Sequence, residues 1–304
     1  MAFENYQIYR LGLWLVRRLP RGLTYFFVGV VAELNFLFNR TGRLGAYENL
    51  DHVLGGSVSR FTRWRYGRSM FRHFAYSIVD LFLIPGLTLA NLSEYVAAIH
   101  GMEHIEACRA SGKGGIFMTV HMGSWELAGS ALGLLGIPLT AAVMTHADPR
   151  IDEIFADIRR RGQIEEVPLG GALAKLELAV ERGRFIALVS DRDIKGTGMK
   201  VRFFGQETTL PTGHAKLAAR TGAWILPGLT YRTHDHRIVI EIRAPVIPRP
   251  GETEEQLMTR CVPELEAIIR AHPDQWSSFW NLWSKTRRPV LWQYVKKLRR
   301  HGES

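Results

Sequence analysis

A chain of 304 residues with 46% hydrophobic content is long enough for one large α/β domain or two small ones, with enough apolar residues for a sizeable core. Its formal net charge of +10 points to an anionic partner: nucleic acid, an acidic membrane surface or a phosphorylated substrate. The two cysteines, Cys108 and Cys261, lack metal-ligand spacing, so neither a metal site nor a disulfide framework is indicated and a reducing cytoplasm fits best.

Residues 6–19 mix aromatics, aliphatics and arginines in the manner of an interfacial helix that Pro20 ends. A second helix follows through Phe38, either on the bilayer surface or covering the core. Arg10, Arg17 and Arg18 interrupt the early apolar segments, so no secretory signal is expected. Residues 24–38 are strongly apolar but carry Glu33 and fall short of the roughly 20 residues of a spanning helix. Residues 49–54 and 60–90 continue as helical material, in which His73 and Asp80 read as polar positions on amphipathic helices. After Gly101 the pattern alternates. Strands are predicted at 116–120, 139–144, 164–169, 185–190 and 224–229, with helices at 125–135, 149–161, 172–182 and 215–221 between them. This is the grammar of parallel βαβ units. Residues 233–236 read as a hairpin turn before a strand at 237–243, giving an antiparallel pair at the sheet edge, and 252–271 as a late amphipathic helix. The predicted fold class is α/β, a mixed, mostly parallel sheet flanked by helices.

The apolar run 116–120 delivers His121 to a glycine-containing turn before a helix, with Glu126 in its first turn. A histidine oriented by a carboxylate makes a general base near neutral pH. Residues 190–193, Ser-Asp-Arg-Asp, follow another apolar strand and face the same crevice, because ligands of open α/β sheets bind outside the carboxyl ends of the strands. Asp191 or Asp193 therefore competes with Glu126 for orienting His121, and Arg192 could take an anionic substrate group. Arg150 and the run 159–161 suit phosphate recognition, with one arginine, Arg159, expected to reach the site. Residues 203–205 and 208–213 read as an apolar loop whose Phe204 roofs an acyl-chain tunnel or plugs the sheet edge. Trp276, Trp280, Trp283 and Trp292 interleave with basic residues, which suits either a headgroup interface or packing under the sheet. No helix-turn-helix, zinc or RNP-type motif supports nucleic acid.

Six blocks occur in order: Gly101-Met-Glu103, Gly112-Lys-Gly114, His121-Met-Gly-Ser-Trp-Glu126, Ser190-Asp-Arg-Asp193, Phe203-Phe-Gly205 and His272-Pro-Asp-Gln-Trp276. Together they resemble the bacterial lipid A biosynthesis acyltransferase family, and most the branch holding the mycobacterial phosphatidylinositol mannoside acyltransferases. The resemblance implies a glycerolphosphate-acyltransferase-like fold. It also implies a peripheral enzyme, with no cofactor, on the cytoplasmic face of the inner membrane, meeting an anionic membrane surface through residues 1–40. The remainder, 41–304, would form the acyltransferase domain with a Trp-rich basic tail, acting as a monomer. The implied reaction moves an acyl group from acyl-CoA or acyl carrier protein to a hydroxyl of a glycolipid acceptor. His121 would be the base, Glu126 its partner, and amides near Gly123 and Ser124 the oxyanion donors. A lipid A precursor or other lysophospholipid is the alternative acceptor, and a non-catalytic basic membrane-binding protein the alternative class. Two departures bear on acceptor positioning: Ser124 stands where asparagine is expected, and His214 where proline is expected.

Overall fold

The structure is a computed structural model describing residues 5–56, 58–169, 171–193 and 196–283. Four helices open the chain: α1 (Tyr6–Arg18), α2 (Arg21–Phe38), α3 (Arg40–Val53) and α4 (Arg60–Leu83). Asn5, Asn39 and Ser59 cap α1, α3 and α4 by accepting first-turn N–H groups. The alternating region then supplies β1 (Val96–His100), α5 (Met102–Ala110), β2 (Ile116–Thr119), α6 (Trp125–Leu134), β3 (Leu139–Val143), α7 (Pro149–Arg161), β4 (Ile164–Pro168), α8 (Leu173–Glu181) and β5 (Phe185–Val189). It ends with β6 (Met199–Phe203), β7 (Gln206–Leu210), α9 (Gly213–Thr221), β8 (Ile225–Arg232), β9 (Ile238–Ile242) and α10 (Glu254–Ala271).

Seven strands form one sheet in the order β1-β9-β8-β2-β5-β3-β4. The pairs from β8 through β4 are parallel, while β9 runs antiparallel to β8 and β1 parallel to β9. The expected antiparallel pair is present, but it is not the edge. The half-buried β1, Val-Ala-Ala-Ile-His, lies outside it and carries too weak an apolar pattern to read as a strand beforehand.

Alternation along β2 divides the core. Ile116 and Met118 face Ala215, Leu217 and the apolar side of α10, whereas Phe117 faces Leu127, Ala131, Ile151, Val79 and Tyr9. The strand is buried on both faces, as expected of a parallel sheet covered by helices. The segment expected as a loop around residues 203–210 is an antiparallel hairpin, β6–β7, with Phe204 at a positive φ of 48° in its turn. Asp80 is no surface position. It is fully buried and pairs with Arg232 on β8 and Tyr25 on α2, with Arg232 1% exposed. A charged pair survives there because each partner satisfies the other.

The N-terminal helices pack by one face and expose the other. On α2, Tyr25, Gly29, Ala32 and Phe36 are buried, while Phe26, Phe27, Val30, Val31, Leu34, Leu37 and Phe38 are exposed. Its 18 residues are long and apolar enough to cross a membrane by length and composition, although the sequence had suggested too short a span. Glu33 pairs with Arg68 and Arg72 of α4, so the helix's charged position faces the domain, not its apolar side.

Candidate functional site

The strand β2 ends at Thr119, and Val120 stays fully buried before His121 emerges at the sheet's carboxyl edge. Next in the chain, Gly123 adopts φ +56°, and a Cβ there would collide with the Thr230 carbonyl of β8. Only glycine therefore lets the chain turn this close to the neighbouring strand. Ser124 then takes the N-cap position of α6 without a capping bond, and its buried hydroxyl lacks a partner among the described residues. The first-turn amides of α6 are thus not consumed by the cap.

Strand β5 lies beside β2 in parallel, and the next residues, Ser190 and Asp191, come out at the same edge. Asp191 Oδ1 sits 2.6 Å from His121 Nδ1, and the Trp276 indole donates to Asp191 Oδ2 at 2.8 Å. Asp191 and Trp276 are fully buried, while the His121 side chain is 21% exposed. Trp276 belongs to a segment after α10 that runs back across this edge. Met122 and Trp276 form a β-bridge, and Ser277 N–H donates to the His121 carbonyl at 2.7 Å. Asn49 of α3, also fully buried, anchors this strap by bonding Ser278, Trp280 and Leu282.

Burial lowers the His121 pKa below the ordinary imidazole value, aided by the Arg192 charge, while Asp191 pulls the other way. Burial also opposes the Asp191 charge, but His121, Arg192 and the bonds from His121 and Trp276 outweigh it and hold the carboxyl well below the usual range. The outcome is a neutral imidazole beside a carboxylate. Accepting His121's Nδ1–H leaves Nε2 with a lone pair toward the open side.

Glu126 does not reach the ring. Its carboxylate takes both Nε and Nη of Arg159, the shortest contact 2.7 Å, and Arg159 also meets Glu166 at 2.5 Å. Arg159, arriving from α7, draws the carboxylate away from the ring. Arg159, 11% exposed, is held charged by these two carboxylates despite its burial. Arg192 lies over the Trp280 ring at 4.4 Å, donates to the Ser277 carbonyl and stands 3.6 Å from Asp191, so its guanidinium is committed inside the protein. Asp193 folds its own loop by accepting the amides of Gly196, Thr197 and Gly198. Phe204 is buried against Phe203, Trp283 and Arg270 and is not part of the wall near His121. The structure thus gathers His121, Asp191, Arg192, Gly123 and Ser124 at one edge, with Glu126 and Arg159 beside them, and leaves Asp193 and Phe204 outside.

Sequence reasoning missed Asn49 and, although it quoted Trp276 in a motif block, did not tie it to Asp191. The bonds of these two residues join positions 85 or more residues apart, which no local pattern reveals. Of the tail tryptophans, Trp276, Trp280 and Trp283 pack within the fold, and Trp292 lies outside the described residues. Among the described residues no group of three or more His, Cys, Asp or Glu could hold a metal ion.

Under α6 lies an apolar cavity of about 70 Å³, lined among others by Thr119, Trp125, Ala128, Leu132, Gly228 and Ile240. Trp125 also stands edge-on to His121, ring centroids 5.1 Å apart, so the cavity opens beside the imidazole.

The sequence profile described as bacterial lipid A biosynthesis acyltransferase matches residues 4–285. A phosphatidylinositol mannoside acyltransferase of Mycobacterium tuberculosis is 33% identical over 153 residues, covering 49% of this chain and 48% of that protein. One from Mycolicibacterium smegmatis is 29% identical over 181 residues, covering 58% and 55%. A lipid A biosynthesis acyltransferase of Haemophilus influenzae is 26% identical over 191 residues, covering 62% and 58%. The chain spans about half the length of the curated mycobacterial relatives it matches. With the profile match running across nearly the whole sequence, the chain belongs to the bacterial lipid A biosynthesis acyltransferase family.

Proposed function

We propose that this protein transfers a fatty acyl group from acyl-CoA or acyl carrier protein to a hydroxyl of a glycolipid, acting at the cytoplasmic face of the inner membrane. The observation that carries this reading is a neutral His121, oriented by Asp191, beside an apolar cavity under α6. His121 Nε2 accepts the proton of the acceptor hydroxyl as its oxygen attacks the thioester carbonyl. The oxyanion of the tetrahedral intermediate meets the amides at the start of α6, near Gly123 and Ser124. Collapse breaks the C–S bond, and the imidazolium returns its proton to the leaving thiolate. No acyl-enzyme is formed.

The acceptor in this reading is a phosphatidylinositol mannoside, after the mycobacterial relatives; the Haemophilus relative makes a lipid A precursor the alternative. The test is acyl transfer from palmitoyl-CoA to each acceptor by the wild-type chain and by His121→Ala. Transfer to the mannoside that disappears in the variant, with vesicle binding retained, is expected. Transfer that survives in His121→Ala overturns the base assignment. Vesicle binding without transfer to any acceptor would leave a non-catalytic membrane-binding protein.

A further inference from the structure

A second histidine–aspartate pair stands at the same edge of the sheet. His146 follows β3, and its Nδ1 lies 2.6 Å from Asp152 Oδ1, which also accepts the His146 backbone N–H at 2.8 Å. Phe155, one turn on along α7, stacks on the ring at 4.8 Å with planes 26° apart. The ring is thus fixed by an atom at its edge and a ring at its face. Its side chain is nevertheless 28% exposed, and Nε2 carries no partner among the described residues. The backbone bond alone would staple this loop; pinning an exposed ring as well sacrifices rotamer freedom that an idle surface side chain keeps.

Position gives the pair its meaning. From β2 to β3 is two strand spacings across β5, about 10 Å at ~4.8 Å each. The surface between is continuous: Trp125 touches His121, Glu126 beside it holds Arg159, Arg159 covers Phe155 at 5.3 Å, and Phe155 stacks on His146. Beyond it, Phe155 meets Tyr9 of α1 at 5.5 Å, and the far side of α1 exposes Ile8, Leu11 and Trp14. His146 thus stands beside a chain of contacts that links α1 to His121, joined to it at Phe155. The two pairs differ in surroundings. His121 adjoins the apolar cavity under α6, which His146 does not line.

We propose that His146, fixed by Asp152 and Phe155, binds the acceptor, its Nε2 hydrogen-bonding a hydroxyl of the glycolipid's sugar headgroup. The proposal rests on the acyl-transfer reading above and adds to it the part of the acceptor that is recognised. Asp152 accepts the hydrogen bond of Nδ1–H and leaves Nε2 as a hydrogen-bond acceptor, which a sugar hydroxyl satisfies.

The experiment is steady-state transfer by the full chain from palmitoyl-CoA to phosphatidylinositol mannoside in mixed micelles, comparing wild type, His146→Ala and Asp152→Asn. In His146→Ala the acceptor KM is expected to rise about tenfold, with kcat and the palmitoyl-CoA KM each shifting less than twofold; Asp152→Asn moves the acceptor KM the same way by less. An unchanged acceptor KM, or a fall in kcat with both KM values unmoved, overturns the assignment. If the wild-type chain transfers nothing to the glycolipid, the acyl-transfer reading fails instead. Calorimetric titration with the free inositol mannoside headgroup then decides for His146 alone: weaker binding in His146→Ala supports it, and equal binding overturns it.

Discussion

At Asp191 one carboxylate serves two donors, and removing either donor or acceptor moves His121 in a different direction. Asp191→Asn deletes the charge that raises the His121 pKa, so the acid limb of kcat/KM, already below 6.5 from burial and Arg192, should shift further down. The ring also loses its fixed tautomer, and kcat should fall on the order of 10³-fold. Trp276→Phe keeps the ring volume but removes the indole donor at 2.8 Å. With its charge less shared, Asp191 favours imidazolium more strongly, so the acid limb should move up. A lost bond to a charged group is worth about 1.5–3 kcal/mol, a ten- to hundredfold drop in kcat if expressed in the transition state. Opposite shifts in the two pH profiles would verify the arrangement; shifts of one sign would refute it. At this scale His121 and Asp191 were legible as motif residues at strand ends. The choice between Asp191 and Glu126 was not, because it depends on Arg159 arriving from α7 to claim Glu126.

Among the elements, α6 both roofs the cavity and presents its amides beside His121, so its packing controls what fits. Ala128→Phe would project a ring from the cavity wall. Activity toward a palmitoyl donor should fall about tenfold or more relative to an octanoyl donor, equivalent to ~1.4 kcal/mol of differential transition-state binding. A uniform loss for both donors would place the acyl chain elsewhere. The link between α2, α4 and β8 is the buried Tyr25–Asp80–Arg232 cluster. Asp80→Ala would leave Arg232 buried and unpaired, and thermal or urea unfolding should show a loss of about 3–5 kcal/mol. The βαβ alternation and most helix limits could be read from periodicity and caps. The β6–β7 hairpin could not, because its polar Gln-Glu-Thr-Thr strand lacks the apolar run that marks a core strand. Asp80 was equally opaque: its partner is 152 residues away.

The molecule as a whole presents a strongly apolar helix face on a basic protein. The exposed face of α2 runs about 27 Å at 1.5 Å per residue, with Ile8, Leu11 and Trp14 of α1 and Phe61 and Trp64 of α4 also exposed. Apolar area of this size on a soluble surface marks an interaction site. Replacing Phe26 and Phe27 together with glutamate should weaken binding to vesicles containing anionic lipid by more than tenfold, read by co-sedimentation, since each phenylalanine buried in lipid contributes on the order of 1.5–3 kcal/mol. Circular dichroism should be unchanged, because neither side chain packs inside. Unaltered co-sedimentation would move the contact to another face.

The strap carrying Trp276 also sets an order of events during synthesis. Every strand of the main sheet lies before residue 243, so the α/β scaffold can close while α10 and the strap are still being made. His121 and Asp191 then already stand at neighbouring strand ends, but the indole that completes the carboxylate's bonding and the Ser277 amide that fixes the His121 backbone come last. A nascent chain halted before residue 276 would therefore have the sheet and the N-terminal helices without the completed His121–Asp191–Trp276 arrangement. The His121–Asp191 pair is completed only when the chain's final third has returned to its middle third.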